Sequence, residues 1–334
     1  MQFVEANGAR IPAIGLGTWE LRGRTCARIV EQAIRLGYRH IDTAQVYENE
    51  REVGEGVRSS HVRRDEIFVT TKVWTTHFAP NDLERSAKDS LVKLRMSEVD
   101  LLLLHWPNAH VPLEETLGAL AHVKKQGLAR HIGVSNFTVA LIEQAVAICS
   151  EPLVCDQVEY HPYLDQTKVR DACNRVGMAL VAYSPIAKGS IKTDAALARI
   201  GGSYGKTPAQ ICLRWLVQQN VVAIPRTSKV ERLSQNIDIF DFVLSEDDMA
   251  EICAEPLVCD QVEYHPYLDQ TKLLEACARH GTALVAYSPI AKGRVRSDRT
   301  LPRIGAAHGK TAAQVCLRWL LQQNVAAIPR TSRI

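Results

Sequence analysis

The segment EPLVCDQVEYHPYLDQTK occurs twice, at residues 151–168 and again at 255–272. It is the centre of a longer repeat in which residues 148–230 recur at 252–334 with an offset of 104. Roughly sixty of about eighty positions match, far closer than neighbouring units of a solenoid resemble one another. Any fold for this chain must therefore say which copy completes the core and what becomes of the other.

Between residues 10 and 230, short β-type runs alternate with segments of helical period, the signature of βα units around a parallel sheet. Eight such runs fall at 14–17, 39–42, 67–72, 99–105, 131–135, 154–159, 179–183 and 222–224. Several are continuously apolar, as expected of parallel strands buried on both faces. Between the third and fourth runs, Leu83, Ala87, Leu91 and Leu94 share one helical face while Glu84, Arg85, Lys88 and Asp89 point elsewhere. Eight strands with helical crossovers predict an α/β fold of the TIM (β/α)8 barrel class. The competing doubly wound sheet would carry a GxGxxG fingerprint, and both Gly15-Leu16-Gly17 and Gly54-Glu55-Gly56 lack the third glycine.

Each copy of the repeat spans the sixth to eighth strands, so eleven candidate strands compete for eight places. The first copy is contiguous with strands one to five, and only it is followed by ERLSQNIDIFDF. It is expected to complete the barrel within residues 1–252, leaving 253–334 as a duplicated partial barrel segment. That segment has three open fates: packing outside the barrel, pairing with another chain, or staying disordered.

Composition narrows the function. With 334 residues, 46% of them hydrophobic, the chain can bury a large core, and a net charge of +3 without a dense Lys/Arg tract argues against nucleic acid as a partner. The opening residues lack a secretory pattern and no apolar run reaches membrane-spanning length, so a cytoplasmic, membrane-free protein is expected, monomeric unless the repeat mediates association. The nine cysteines form no CxxC pair. They are expected to be buried thiols, with no metal site.

At the ends of successive strands stand Asp42, then Tyr47 in the following loop, Lys72 and His105. In a barrel of this class, polar groups at the C-terminal strand ends face the active-site mouth. A tyrosine ionises near pKa ~10, so its use as a proton donor calls for a neighbouring cation. Lys72 can be that cation, Asp42 can hold Lys72 in place, and His105 can hydrogen-bond a carbonyl oxygen. Any one of these residues alone is more often structural; four compatible groups at four such positions reverse those odds.

In order along the chain, GLGTW, GYRHIDTAQVYENEREVG, VTTKVW, DLLLLHWP, HIGVSNF, CDQVEYHPY, AYSPIAKG and AIPRTSKVERLSQN cover residues 10 to about 250. This series resembles the aldo-keto reductase superfamily, and within it the bacterial branch of 2,5-diketo-D-gluconate and methylglyoxal reductases. The resemblance implies NADPH as cofactor and a small-molecule carbonyl substrate, reduced with a proton from Tyr47 in a tetrad of Asp42, Tyr47, Lys72 and His105. It implies that Ser135, Asn136 and Gln157 bind the nicotinamide carboxamide and that Tyr183 stacks on the ring. Ser184, Ile186, Lys188 and Gly189 match the segment that wraps the pyrophosphate. Arg226 and Thr227 stand where the family has Lys-Ser, with Arg232 and Asn236 completing the pattern; the two arginines would clasp a 2′-phosphate. Trp74 and Trp106 would line the substrate pocket, whereas His40, His161 and His265 are expected to be structural. Barrels of this superfamily also serve as non-enzymatic cofactor-binding subunits, and a third reading is a poorly folding recombination product.

Overall fold

In a computed structural model of the chain, residues 2–254, 259–279 and 282–329 are described. The chain divides into two compact units, Met1–Cys253 and Ala254–Ile334.

The first unit opens with an antiparallel hairpin, β1 (Phe3–Ala6) and β2 (Ala9–Pro12), which the reading from sequence does not contain. Its signal is the Asn7-Gly8 dipeptide between two alternating runs. Both residues take positive φ, 42° and 84°, as a tight hairpin turn requires. Val4, Ala6, Ala9 and Ile11 are buried, and Asn7 Nδ2 donates to the carbonyls of Leu153 (2.7 Å) and Val176 (3.1 Å). The hairpin is thereby fixed to the start of one later strand, at Leu153, and to the end of the helix Thr167–Arg175, at Val176.

Eight parallel strands follow: β3 (Leu16–Gly17), β4 (His40–Asp42), β5 (Phe68–Val73), β6 (Val99–Leu104), β7 (Ala129–Ser135), β8 (Leu153–Glu159), β9 (Ala179–Tyr183) and β10 (Val222–Ala223). They lie in sequence order, each paired with its neighbours. The sheet curls until its ends meet. Bridges Ile14↔Ala223 and Gly17↔Arg226 join the last strand to the first, with Gly15 N–H donating to Ala223 O at 2.8 Å. At this seam a Cβ on Gly17 would lie 2.8 Å from the Ile224 carbonyl oxygen, so only glycine lets the backbones approach. The result is a TIM-like α/β barrel with all eight expected strands. The strands at the seam are shorter than the apolar runs suggest, because the ladder there is reduced to isolated bridges.

The crossover helices follow from local chemistry. The helix Pro80–Leu94 has proline in its first turn, Asp82 near its positive end, and Leu83, Ala87, Leu91 and Leu94 buried. The helix Pro208–Gln218 starts with a capping box between Thr207 and Gln210.

The second unit repeats this local structure on a smaller scale. Its three parallel strands, β11 (Cys259–Glu263), β12 (Ala283–Tyr287) and β13 (Ala326–Ile328), lie in that order. The register is inherited: Glu263↔Tyr287 reproduces Glu159↔Tyr183. Thr311 and Gln314 form the same capping box as Thr207 and Gln210. Among the described residues, no helix is long and apolar enough to cross a membrane.

Candidate active site

Asp42 is the last residue of β4, and its carboxylate is buried between two donors. Lys72 Nζ, fully buried on β5, approaches Asp42 Oδ1 to 2.6 Å and also donates to Thr43 O at 2.9 Å. Gln157 Nε2, reaching in from β8, donates to Asp42 Oδ2 at 2.8 Å. Lys72 Nζ lies 3.5 Å from Tyr47 Oη and 5.0 Å from the centre of its ring. His105, just beyond β6, sets its ring edge-on to Tyr47 at 5.6 Å and to Trp74 at 5.2 Å. The four residues expected to act together are therefore brought together.

The electrostatics follow from burial. Desolvation works to lower the Lys72 pKa, but the Asp42 charge, with smaller help from Tyr47, outweighs it and the ammonium is held above its ordinary value. Burial raises the Tyr47 phenol above its ordinary value despite the opposing pull of Lys72, so it keeps its proton at neutral pH. His105 is lowered to about 3, first by burial and then by Lys72, and is a neutral imidazole. Its Nδ1 is buried without a hydrogen-bond partner among the described residues.

Tyr47 is positioned by residues the reading from sequence does not single out. Asn49 is fully buried; its Oδ1 accepts from Thr43 Oγ1 at 2.7 Å and its Nδ2 donates to the carbonyls of Thr18 (2.8 Å) and Leu21 (3.0 Å). Gln45 bonds Trp74 N through Oε1, and Ser86 O and Ser90 Oγ through Nε2. Together they staple the 3-10 turn Gln45–Tyr47 to both neighbouring strand ends. The sequence offers only an asparagine two positions after the tyrosine; its burial comes from the fold.

The residues expected to hold a nicotinamide form a second cluster against the first. Ser135 Oγ donates to Gln157 O at 2.7 Å. Asn136, at φ 63°, donates from its amide to His105 O and Ser135 Oγ, both at 3.0 Å, and accepts from Tyr183 Oη at 2.9 Å. Burial pushes the Tyr183 phenol up to about 12. Gln157 is shared: its carbonyl end of the chain anchors Ser135 and Asn136 while its side chain holds Asp42.

Beyond β9 the backbone turns left-handed at Ser184, Ala187, Lys188 and Gly189, with φ of 48°, 45°, 53° and 93°. Ile186 is half-buried and Lys188 exposed. Arg226 and Arg232 are exposed, Thr227 and Asn236 buried. Arg226 Nε and Nη2 donate to the carbonyls of Trp19 (3.0 Å) and Glu20 (3.4 Å), which fixes its guanidinium across the barrel seam. Trp74 is half-buried beside His105, whereas Trp106 is 44% exposed and so is not core packing. His40, fully buried, shares a hydrogen bond with Thr70 Oγ1 at 3.0 Å, a structural role.

Comparison with known proteins gives this geometry a family. The sequence model of the aldo/keto reductase family matches residues 13–255 and, separately, 254–334. Methylglyoxal reductase DkgB of Escherichia coli O157:H7 is 40% identical over 247 residues, spanning 73% of this chain and 92% of that protein. Glyoxal reductase of Bacillus subtilis is 39% identical over 249 residues, spanning 74% and 90%. Among solved structures, a putative 2,5-diketo-D-gluconic acid reductase B is similar with a TM-score of 0.74 and 47% identity, covering 76% of this chain and 91% of that one. By the double match, the identity of its relatives and the barrel they share, this chain is an oxidoreductase that belongs to the aldo/keto reductase family.

Proposed function

We propose that the chain is an NADPH-dependent reductase of small aldehydes and ketones, with methylglyoxal and 2,5-diketo-D-gluconate as the substrate class to test first. The observation that carries this reading is the buried chain Gln157–Asp42–Lys72–Tyr47, with contacts of 2.8, 2.6 and 3.5 Å.

Reduction of a carbonyl needs one hydride and one proton. A bound nicotinamide supplies the hydride to the carbonyl carbon. The chain's own groups fit such a cofactor: Ser135, Asn136 and Gln157 gather amide and hydroxyl functions beside the tetrad, and the left-handed run at 184–189 follows directly on Tyr183, which joins that cluster through Asn136. Arg226 and Arg232 offer guanidinium groups for a 2′-phosphate.

Tyr47 Oη delivers the proton to the carbonyl oxygen as charge builds there, and the resulting phenolate is stabilised by Lys72, which Asp42 keeps charged and aimed. Neutral His105 orients the carbonyl oxygen by a hydrogen bond, and Trp74 walls the pocket beside it. Replacing Tyr47 by Phe removes the proton donor and leaves the ring. The expected loss in NADPH oxidation with saturating methylglyoxal is about 100- to 10,000-fold, with NADPH affinity within about threefold of the parent. A variant retaining half the parent rate would remove Tyr47 from this role.

A further inference from the structure

A cleft of about 560 Å³ opens among the N-terminal ends of β5, β6 and β7, at the end of the barrel opposite Asp42, Lys72 and His105. Five arginines line it, Arg58, Arg63, Arg64, Arg95 and Arg130, against the carboxylates of Asp65 and Glu98. A third carboxylate, the buried Asp100, accepts from Val69 N at 2.9 Å and binds Arg64 Nη2 at 2.7 Å and Arg130 Nη1 at 3.3 Å. Arg130 also pairs with Glu98 at 2.6 Å, and Arg63 with Asp65. Three guanidinium groups are thereby fixed by three carboxylates, and Arg64 Nε is still buried without a partner among the described residues. The surplus positive charge belongs to Arg58 and Arg95.

Arg58, in the last turn of the helix Glu50–Ser59, donates one N–H to Leu94 O at 2.9 Å and has no carboxylate partner among the described residues. The exposed side chain of Arg95 makes no hydrogen bond or ion pair among them at all. Its backbone closes the helix Pro80–Leu94 in the left-handed region, at φ 54° and ψ 51°. Four other barrel helices leave through glycine there, at Gly37, Gly127, Gly177 and Gly205, with φ of 105°, 73°, 72° and 64°. A cation favours a helix C-terminus from any position in the last turn, so the helix dipole does not require it at the one residue where glycine is unstrained. Strain of this kind marks functional positions. Val57, Val62 and Met96 give the same cleft an apolar wall. Its volume falls within the range of about 300 to 1,000 Å³ found for small-molecule sites. Guanidinium forks match phosphate oxygens, and an ester's carbon skeleton suits the apolar wall.

We propose that this cleft binds the phosphate ester of a small metabolite, with the phosphate on Arg58 and Arg95 and the carbon skeleton against Val57, Val62 and Met96. The test is isothermal titration of the full chain, with NADP+ present to fill the cofactor's own anion ligands. The probes are glucose 6-phosphate, glycerol 3-phosphate and, in parallel, inorganic phosphate. At least one ester should bind once per chain and more tightly than inorganic phosphate. Arg58→Gln with Arg95→Gly should weaken that binding about 100-fold, at about tenfold per charge-assisted contact. Arg28→Gln, an exposed arginine of the helix Gly23–Arg35 outside the cleft, should change it less than about threefold. Arg95→Gly alone should weaken binding about tenfold yet melt at or above the parent temperature, because glycine relieves the left-handed backbone. A purely structural Arg95 would do the reverse, lowering the melting temperature and leaving binding intact. Absence of binding by all three probes, or equal losses in Arg28→Gln and the double variant, would overturn the site. Inorganic phosphate binding as tightly as both esters would overturn the metabolite. The readout is the loss in the cleft variants, so it stands apart from the reductase reading, which fails on turnover instead.

Discussion

A fully buried ammonium is costly unless its partners are exact in position, and Lys72 shows how that cost is met: one carboxylate oxygen at 2.6 Å, one carbonyl at 2.9 Å and a phenol at 3.5 Å. The residue types and the strand ends that carry them are legible in the sequence, because a barrel turns every C-terminal strand end toward one mouth. The sharing of Gln157 between Asp42 and the amide cluster is not legible, since it depends on how far β8 lies from β4 across the barrel. The same holds for Arg226, whose fork is half engaged by the Trp19 and Glu20 carbonyls before any phosphate is considered. On the proposed reading, that engagement would pre-set Arg226 for an anion, with Arg232 on the helix Val230–Ile237 as its second ligand. For the double variant Arg226→Ala, Arg232→Ala, the KM for NADPH should rise about 100-fold, at about tenfold per charge-assisted contact, and the KM for NADH by less than about threefold. Steady-state kinetics with both cofactors checks this, and equal losses would count against the clasp.

At the scale of elements, β8 illustrates what alternation does and does not reveal. Cys155, Gln157 and Glu159 point to one side and Val154, Asp156 and Val158 to the other, so the DQ pair divides between barrel interior and helix layer. Asp156 is consequently a carboxylate facing core. Its Oδ1 accepts from Phe137 N at 3.3 Å, and its Oδ2 is buried without a partner among the described residues. Burial raises its pKa from 3.8 to about 7, with the Phe137 bond opposing. A carboxyl raised in this way is favoured by the fold while protonated. Its stabilisation is fully present below the unfolded value near 4 and is lost as pH rises through 7. Between pH 5 and pH 8 the parent should lose roughly 2 kcal/mol that Asp156→Asn does not. Chemical denaturation at the two pH values reads this directly: the variant should gain on the parent at pH 8, and a constant gap would place the carboxylate in a solvated site. Helices were the more legible elements, since Pro80, Thr207 and the Leu83, Ala87, Leu91, Leu94 stripe state their starts and buried faces locally. The hairpin Phe3–Pro12 is legible in its Asn7-Gly8 turn but not in its docking, because its strands are short and the partners of Asn7 lie far along the chain, at Leu153 and Val176.

At the scale of the whole molecule, two nearly identical segments meet different surroundings. Ile200, Val217 and Ile224 are 1%, 7% and 3% exposed, while their counterparts Ile304, Leu321 and Ile328 are 37%, 56% and 51% exposed. The first copy gains the full burial of a closed barrel, because β8 pairs with β7 and β10 is bridged to residues 14–17. Among the described residues, the second has what three strands and their helices provide, two small clusters around Leu284 and Val295. Sequence alone shows the repeat but not this asymmetry, because a window of residues carries no record of what lies across a sheet. Every strand of the barrel, the tetrad, Tyr183, Arg226, Arg232 and Asn236 precede the second unit, as do the buried Leu244 and Ile252, which join the barrel core at the helix Glu246–Ala254. A chain ending at Ala254 should therefore stay folded, melt within about 3 °C of the full chain, a shift worth less than roughly 1 kcal/mol for a domain of this size, and keep its turnover. Full-chain Tyr183→Ala should impair NADPH binding while Tyr287→Ala leaves it intact, because Tyr183 donates its hydroxyl to Asn136 within the first unit. If truncation unfolded the barrel, or if the two tyrosine variants exchanged their effects, the second copy would be the one that closes it in solution, and residues 148–230 would be the surplus.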